Sequence, residues 1–149
     1  MPPGSEAGRL AAATAQDAAA LAQLAAAALP EPWSEEGFAQ EIEAPLARVW
    51  IARGPAGAPV GYLVAHVLGE EIQVLSLAVA AGFRRQGIGR SLVEHALAEE
   101  RGARIAHLEV RSNDAGAQAF YARLRFQPVG RRRGFYPGGV DALSLVRRL

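Results

Sequence analysis

Residues 83–92, FRRQGIGRSL, crowd Arg84, Arg85, Gln86, Gly87, Gly89 and Arg90 into the turn that opens an amphipathic pattern. Gly87 and Gly89 carry no Cβ, so a ligand can come close to the backbone there. The first N–H groups of a helix have no internal partner, and the helix dipole gives them partial positive charge. Such a turn binds phosphate oxygens. Arg84, Arg85 and Arg90 add charge suited to a pyrophosphate. The spacing is not that of a P-loop, which needs Gly-Lys, because the chain has no lysine. Nor is it the dinucleotide fingerprint, since Leu92 stands where the third glycine belongs. The glycine pair alone also fits a plain turn with solvated arginines; the full run RRQGIGRSL is more specific.

Other residues offer proton chemistry. In RIAHLEVR (104–111) the alternation sets Ile105, His107, Glu109 and Arg111 on one face of a strand. Glu109 has the chemistry of a general base, or is a surface carboxylate paired with Arg111. His107 is a second candidate base. Tyr121, in a predicted helix over 114–124, carries a phenolic proton or packs on a sheet with Phe120 and Phe126, both expected in the core. Trp33 and Tyr136 are large aromatics in loops far apart in the chain. The run Arg131–Arg133 lies on a predicted strand, where it reads as a solvated edge that discourages strand addition.

Composition narrows the rest. The chain has 149 residues, half of them hydrophobic and 21% charged, with a net charge of +1. That suits one domain over 1–149 with one core, and no field that would steer it to nucleic acid or membrane. There is no cysteine, which removes disulfides, thiolate metal sites and a cysteinyl acyl-enzyme. The three histidines, His66, His95 and His107, are scattered, so no metal is expected. The alanine-rich stretch 11–29 has Asp17 and two glutamines inside it and reads as a helix of the domain, not a leader. No run is long and apolar enough to cross a bilayer, and a cytoplasmic location is expected.

The elements follow from periodicity and punctuation. Residues 1–8 read as a loose lead-in and RLAAAT as a short strand. Thr14 caps a helix over 15–28, and Ser34 opens another through about Glu43. Strands are predicted at 48–53, 60–68 and 71–80, then a helix at 87–100, a strand at 104–111 and the 114–124 helix. Strands at 126–136 and 140–149 flank the PGG turn. The strand–helix–strand unit in the middle must be parallel and right-handed. Hairpins on both sides make the sheet mixed and mostly antiparallel, with helices on both faces, an α/β fold.

LAVAAGFRRQGIGRSLVEHAL resembles the acetyl-CoA signature of the GCN5-related N-acetyltransferases (GNAT), Gln/Arg-x-x-Gly-x-Gly/Ala. LEVRSNDAGAQAFYARLRF resembles their second motif. EPWSEEGF and GFYPGGVDALSLVRRL are similar to the ribosomal-protein-alanine, or RimI-type, branch. The resemblance implies the acyl-CoA N-acyltransferase fold and acetyl-CoA as co-substrate. It implies that Leu77, Ala78 and Val79 bond the pantetheine arm through backbone. Arg85, Gln86, Gly87, Ile88, Gly89 and Arg90 then wrap the pyrophosphate. Glu109 falls on the branch's general base and Tyr121 on its general acid, with Trp33 and Tyr136 at the acceptor groove. Two positions depart from the pattern. The coenzyme-contacting asparagine, seven residues before the tyrosine, is Asp114 here, with Asn113 one residue earlier. Arg125 stands where the motif ends its helix with glycine.

The chemistry implied is transfer of acetyl from a thioester to a neutral amine. Freeing a peptide α-amine of pKa ~8 at pH 7 costs ~1.4 kcal/mol; freeing a lysine of pKa ~10.4 costs ~4.6 kcal/mol. The expected acceptor is a protein N-terminus, by resemblance the N-terminal alanine of a small-subunit ribosomal protein, with direct attack in a ternary complex. The alternatives are a small-amine or lysine acetyltransferase of the same fold, and a non-catalytic acyl-CoA-binding module.

Overall fold

Among the described residues, seven strands form one sheet: β1 (Arg9–Ala12), β2 (Ala47–Arg53), β3 (Pro59–Leu68), β4 (Glu71–Val79), β5 (Ile105–Arg111), β6 (Gln127–Tyr136) and β7 (Val140–Arg148). Their order across the sheet is β1-β2-β3-β4-β5-β7-β6. Every neighbouring pair is antiparallel except β4 with β5. The computed structural model describes residues 9–149. The lead-in expected at 1–8 lies outside the described residues.

Four helices cover the two faces: α1 (Ala18–Ala28), α2 (Glu35–Glu43), α3 (Ile88–Glu99) and α4 (Ala115–Arg123). Strand alternation decides which face each meets. Tyr62 and Val64 of β3 pack under α1 and α2, with Leu21, Leu24 and Phe38. Leu63 and Ala65, one residue out of phase, pack under α3 and α4 with Leu92, Val93, Tyr121 and Leu124. On α3 the buried residues Ile88, Leu92, Val93, Ala96 and Leu97 recur at helical spacing, as the sequence predicts. Burying a Leu, Ile or Val contributes ~1.5–3 kcal/mol, so this stripe outweighs any intrinsic preference of the segment.

The α1 entrance differs from expectation. A 3-10 turn, Ala15–Asp17, precedes the helix; Thr14 is the N-cap of that turn, in a capping box with Asp17, and Asp17 is itself the N-cap of α1. The Thr14 N–H, left over where β1 ends, donates to Asp17 Oδ2 at 2.8 Å. Arg53 of β2 also donates to both Asp17 oxygens, at 3.1 and 3.2 Å. Asp17 is 7% exposed, so the charge is buried only because all these donors converge on it. The α2 entrance is as predicted, with Ser34 Oγ accepting the Gly37 N–H at 3.0 Å.

Two irregularities open the middle of the sheet. β4 and β5 pair only over Glu71–Gln73 and Ile105–His107. Beyond that they part, and the edges of both strands lack a ladder partner. In β4 the register against β3 slips between Val64 and Ala65, so that Val64 faces Ser76 while Ala65 faces Val74 and Leu75 bulges. An extra residue flips the face of everything after it. Ile72 and Val74 face α3 before the bulge; Leu77 and Val79 face it afterwards.

Candidate active site

The turn before α3 leaves backbone N–H groups unpartnered. After a 3-10 turn at Ala81–Phe83, Arg85 adopts φ 64° and Gly87 φ 80°, both left-handed. Alternation of hand along a turn directs successive N–H groups to one side, forming an anion nest. Gly87 is the N-cap of α3, and no side chain caps that helix. Its first amides therefore remain available. Arg84 is partly committed, donating from Nε to the Val79 carbonyl at 3.2 Å.

A cleft of about 760 Å³ lies against this turn. Its walls are Leu77, Ala78 and Val79 of β4, Arg84, Arg85, Gly87, Ile88, Gly89 and Arg90 of the turn, and Asp114, Ala117, Phe120 and Tyr121 of α4 and its cap. The Ala80 N–H donates to Val60 of β3 at 2.8 Å. Ladder alternation then turns the backbone groups of Leu77 and Val79 the other way, toward the open edge. Gln86 does not line this cleft, nor does Asn113, which is exposed. Asp114 does, and its Oδ1 accepts the Ala117 N–H at 2.9 Å as the N-cap of α4. Phe120, expected in the core, is half-buried and forms cleft wall instead, because α4 presents that side to the gap.

A second cleft, about 230 Å³, opens where β4 and β5 part. Val74–Leu77 line one side and Leu108–Arg111 the other, with Leu29, Pro30 and Tyr136 at the mouth. Leu29, Leu77, Asp114, Ala117 and Tyr121 belong to both clefts. Glu109 and Tyr121, twelve positions apart in the chain, thus border one space.

The Tyr121 side chain is buried and has no hydrogen-bond partner among the described residues. Burial first, and the Asp114 charge second, push its phenol well above the ordinary tyrosine range. Its orientation comes from the end of α4. The Phe126 N–H donates to the Tyr121 carbonyl and the Arg125 N–H to the Ala122 carbonyl, both at 3.0 Å. The Phe126 ring meets the Tyr121 ring edge-on at 5.5 Å. That is a Schellman cap with its apolar contact. Arg125 occupies its left-handed position with φ 68°, so the turn keeps the shape a glycine would give it.

Glu109 points to the face opposite α4. The alternative reading paired it with Arg111, but the structure pairs it with Arg132 of β6, at 3.2 Å. Ser144 Oγ donates a long 3.5 Å bond to the same carboxylate. Arg111 instead pairs with Glu31 and lies over the Tyr136 ring, 4.6 Å from its centroid. Burial, then the Glu109 charge, pushes the Tyr136 phenol upward. His107 is 3.9 Å from Glu71, at the end of β5 away from the cleft. Trp33 packs tilted on Phe38 at 5.7 Å and lines neither cleft. Sequence reasoning read Arg132 only as part of a solvated edge. Its place in the RRR run gave no clue to Glu109, because only the pairing of β5, β7 and β6 brings the two together.

A mixed sheet split between two parallel strands, with an anion-binding turn on one side of the split, defines the class of acyl-coenzyme A transferases. The chain belongs to the acetyltransferase (GNAT) family, whose model matches residues 18–126. It is 32% identical to the [ribosomal protein bS18]-alanine N-acetyltransferase of Escherichia coli K12, over 77% of this chain and 80% of that protein. It is 34% identical to the N-alpha-acetyltransferase RimI of Mycobacterium tuberculosis, over 78% of this chain and 76% of that one. The crystal structure of the ribosomal-protein-S18-alanine N-acetyltransferase from E. coli superposes with a TM-score of 0.87 at 28% identity, covering 95% of this chain and 93% of that one. The mixed fold expected from the sequence is the one observed. Among the described residues, no helix is long and apolar enough to cross a membrane.

Proposed function

We propose that this protein acetylates the N-terminal α-amine of a protein, using acetyl-CoA, and that its acceptor begins with alanine, as in a small-subunit ribosomal protein. The observation that carries this is the meeting of the two clefts at Tyr121: a long one ending at an anion-binding turn, a short one bordered by Glu109. The names of the relatives just described support the choice of acceptor.

Acetyl-CoA supplies the acyl group as an activated thioester. The long cleft fits it: the Arg85–Arg90 turn takes the diphosphate, and the outward N–H and C=O groups of Leu77 and Val79 take the amides of the arm. An aspartate at 114 accepts hydrogen bonds where the family's asparagine could also donate. Glu109 removes a proton from the acceptor ammonium. The amine nitrogen forms its bond to the acetyl carbon as the carbon–sulfur bond breaks, and the second proton shed by that nitrogen passes to the departing sulfur, leaving the amide and the free CoA thiol. Tyr121 donates a hydrogen bond to the departing sulfur. Its phenol outbids a thiolate of pKa ~8.5 for the proton, so it is a firm donor and a reluctant acid. Strand N–H groups near Val79 are the candidates to meet the developing oxyanion. The short cleft suits a small first residue, and an α-amine is ~3 kcal/mol easier to deprotonate than a lysine. Tyr136 flanks this cleft; Trp33 acts indirectly, through Phe38.

Thiol release is measured with free N-terminal peptides, with the same peptides blocked, and with a blocked peptide carrying an internal lysine. The Ala-first free peptide should react fastest and blocking should abolish the reaction. Preferred reaction at lysine would overturn the acceptor assignment. Coenzyme binding without turnover on any amine would make the protein a binding module.

A further inference from the structure

Glu109, the residue read above as the base, is not free in this structure. On the face of the sheet that carries it, β5, β7 and β6 present Glu109 opposite Ser144 and Ser144 opposite Gly130. One register step along, Arg111 lies opposite Ala142 and Ala142 opposite Arg132. Ser144, Ala142 and Gly130 are all small, so nothing stands between Arg132 and Glu109. The guanidinium crosses β7 diagonally and reaches the carboxylate at 3.2 Å.

The strand that bears Arg132 is shaped to hold it there. Between Arg132, opposite Ala142, and Tyr136, opposite Val140, three residues of β6 stand against one of β7. Gly134 in this bulge has φ 61°. Its N–H donates to Asp141 at 2.9 Å, and Arg131 pairs with the same carboxylate at 2.8 Å. Asp141 thereby pins the bulge, and the bulge puts Arg132 at one end and Tyr136 at the other. The Arg132 side chain is 61% exposed, whereas that of Glu109 is 16% exposed. In the same position the Arg132 guanidinium also lies over the Phe135 ring, 5.3 Å from its centroid.

We propose that Arg132 is a placeholder for the acceptor's ammonium: it occupies the Glu109 carboxylate in the empty enzyme and yields when the amine arrives. The inference rests on Glu109 as the group that receives the amine. A cation on that carboxylate holds it in one orientation between turnovers. An incoming ammonium offers the same charge and competes for the same oxygens. Arg132 gives way because it is the exposed partner, 61% open to solvent, and regains hydration when it leaves. It is a positioning residue; it touches no reacting atom.

The test is calorimetric titration of a hexapeptide with a free N-terminal alanine into CoA-saturated enzyme, where no acetyl is present and nothing turns over. Arg132→Gln should tighten binding about two- to fivefold, the range of a mostly exposed ion pair. Arg132→Lys should leave it near wild type. In a Glu109→Gln background, Arg132→Gln should change nothing. Affinity for CoA alone should not move in any variant, which excludes a general loss of structure. Unchanged or weaker peptide binding in Arg132→Gln would overturn the placeholder and leave the acceptor assignment standing. Equal binding of the N-acetylated hexapeptide, or none of either, would overturn the acceptor assignment and the placeholder with it.

Discussion

Gly89 and Phe120 touch across the coenzyme cleft: a Cβ on Gly89 would lie 3.2 Å from Phe120 Cζ and 3.4 Å from Cε1. The first turn of α3 and the ring on α4 therefore set each other's position. Gly89→Ala must push the ring into the cleft. Crowding of that kind costs ~1 kcal/mol, so acetyl-CoA should bind about fivefold more weakly by calorimetry. Phe120→Leu in the same chain should restore the loss. Full affinity in the single variant would mean that the ring moves aside without consequence.

Gly87 tests the diphosphate assignment. Its φ of 80° is strained for any side chain by ~1–2 kcal/mol, so Gly87→Ala should weaken coenzyme binding about tenfold. Gly87→Glu adds a negative charge at the helix N-terminus and should abolish binding. Equal affinities for the Ala and Glu variants would place the diphosphate elsewhere.

Glu109→Gln and Tyr121→Phe separate chemistry from binding. Each should lower kcat by ~10²-fold or more in a thiol-release assay, Glu109→Gln by loss of proton transfer and Tyr121→Phe by loss of the hydrogen bond to the departing sulfur. The KM for acetyl-CoA should stay near wild type. Wild-type rates in both variants would remove both residues from the mechanism.

The Tyr121 phenol is raised chiefly by burial. A raised acid holds its proton longer in the folded than in the unfolded chain, where it ionises at about pH 10. Its stabilising share is thus complete below about pH 10 and is lost as pH climbs through the higher folded value. Tyr121→Phe should blunt the alkaline loss of stability, read as denaturation midpoints on either side of pH 10. Below that pH the tyrosine adds no break to the rate profile. An alkaline limb near pH 9 that disappears in Tyr121→Phe would contradict the direction of the shift.

Arg125→Gly should stabilise the protein. Relief of the left-handed strain returns ~1–2 kcal/mol, and the extra freedom of glycine in the unfolded chain takes back ~0.5–1. A net gain of ~0.5–1 kcal/mol raises Tm by about 2–4 °C in a domain this size. A lower Tm would show that the arginine side chain contributes more than its backbone costs.

The sequence carried the elements and the glycine turn before α3 because both are local. Periodicity located α3, and the glycines of residues 87 and 89 marked its entrance before any contact was known. What remained hidden depends on strands far apart in the chain. The Leu75 bulge leaves no mark in an apolar run, although it decides which residues of β4 face the coenzyme cleft. The partner of Glu109 was invisible for the same reason: Arg111 is nearer in sequence, but the Arg132 guanidinium reaches the carboxylate across β7. Asn113 and Asp114 are indistinguishable as letters, and the N-cap geometry of α4 separates them. Arg125 looked like a departure in shape and proves to be a departure only in strain.

Parting β4 from β5 leaves two unsatisfied strand borders in the interior of the sheet. Unfinished borders on the rim of a protein invite foreign chains to zip onto them. Here they face each other inside the sheet, across a cleft lined by Ala117 and Tyr121 of α4. The molecule can keep bare backbone ready for a slender ligand without becoming a seed for aggregation.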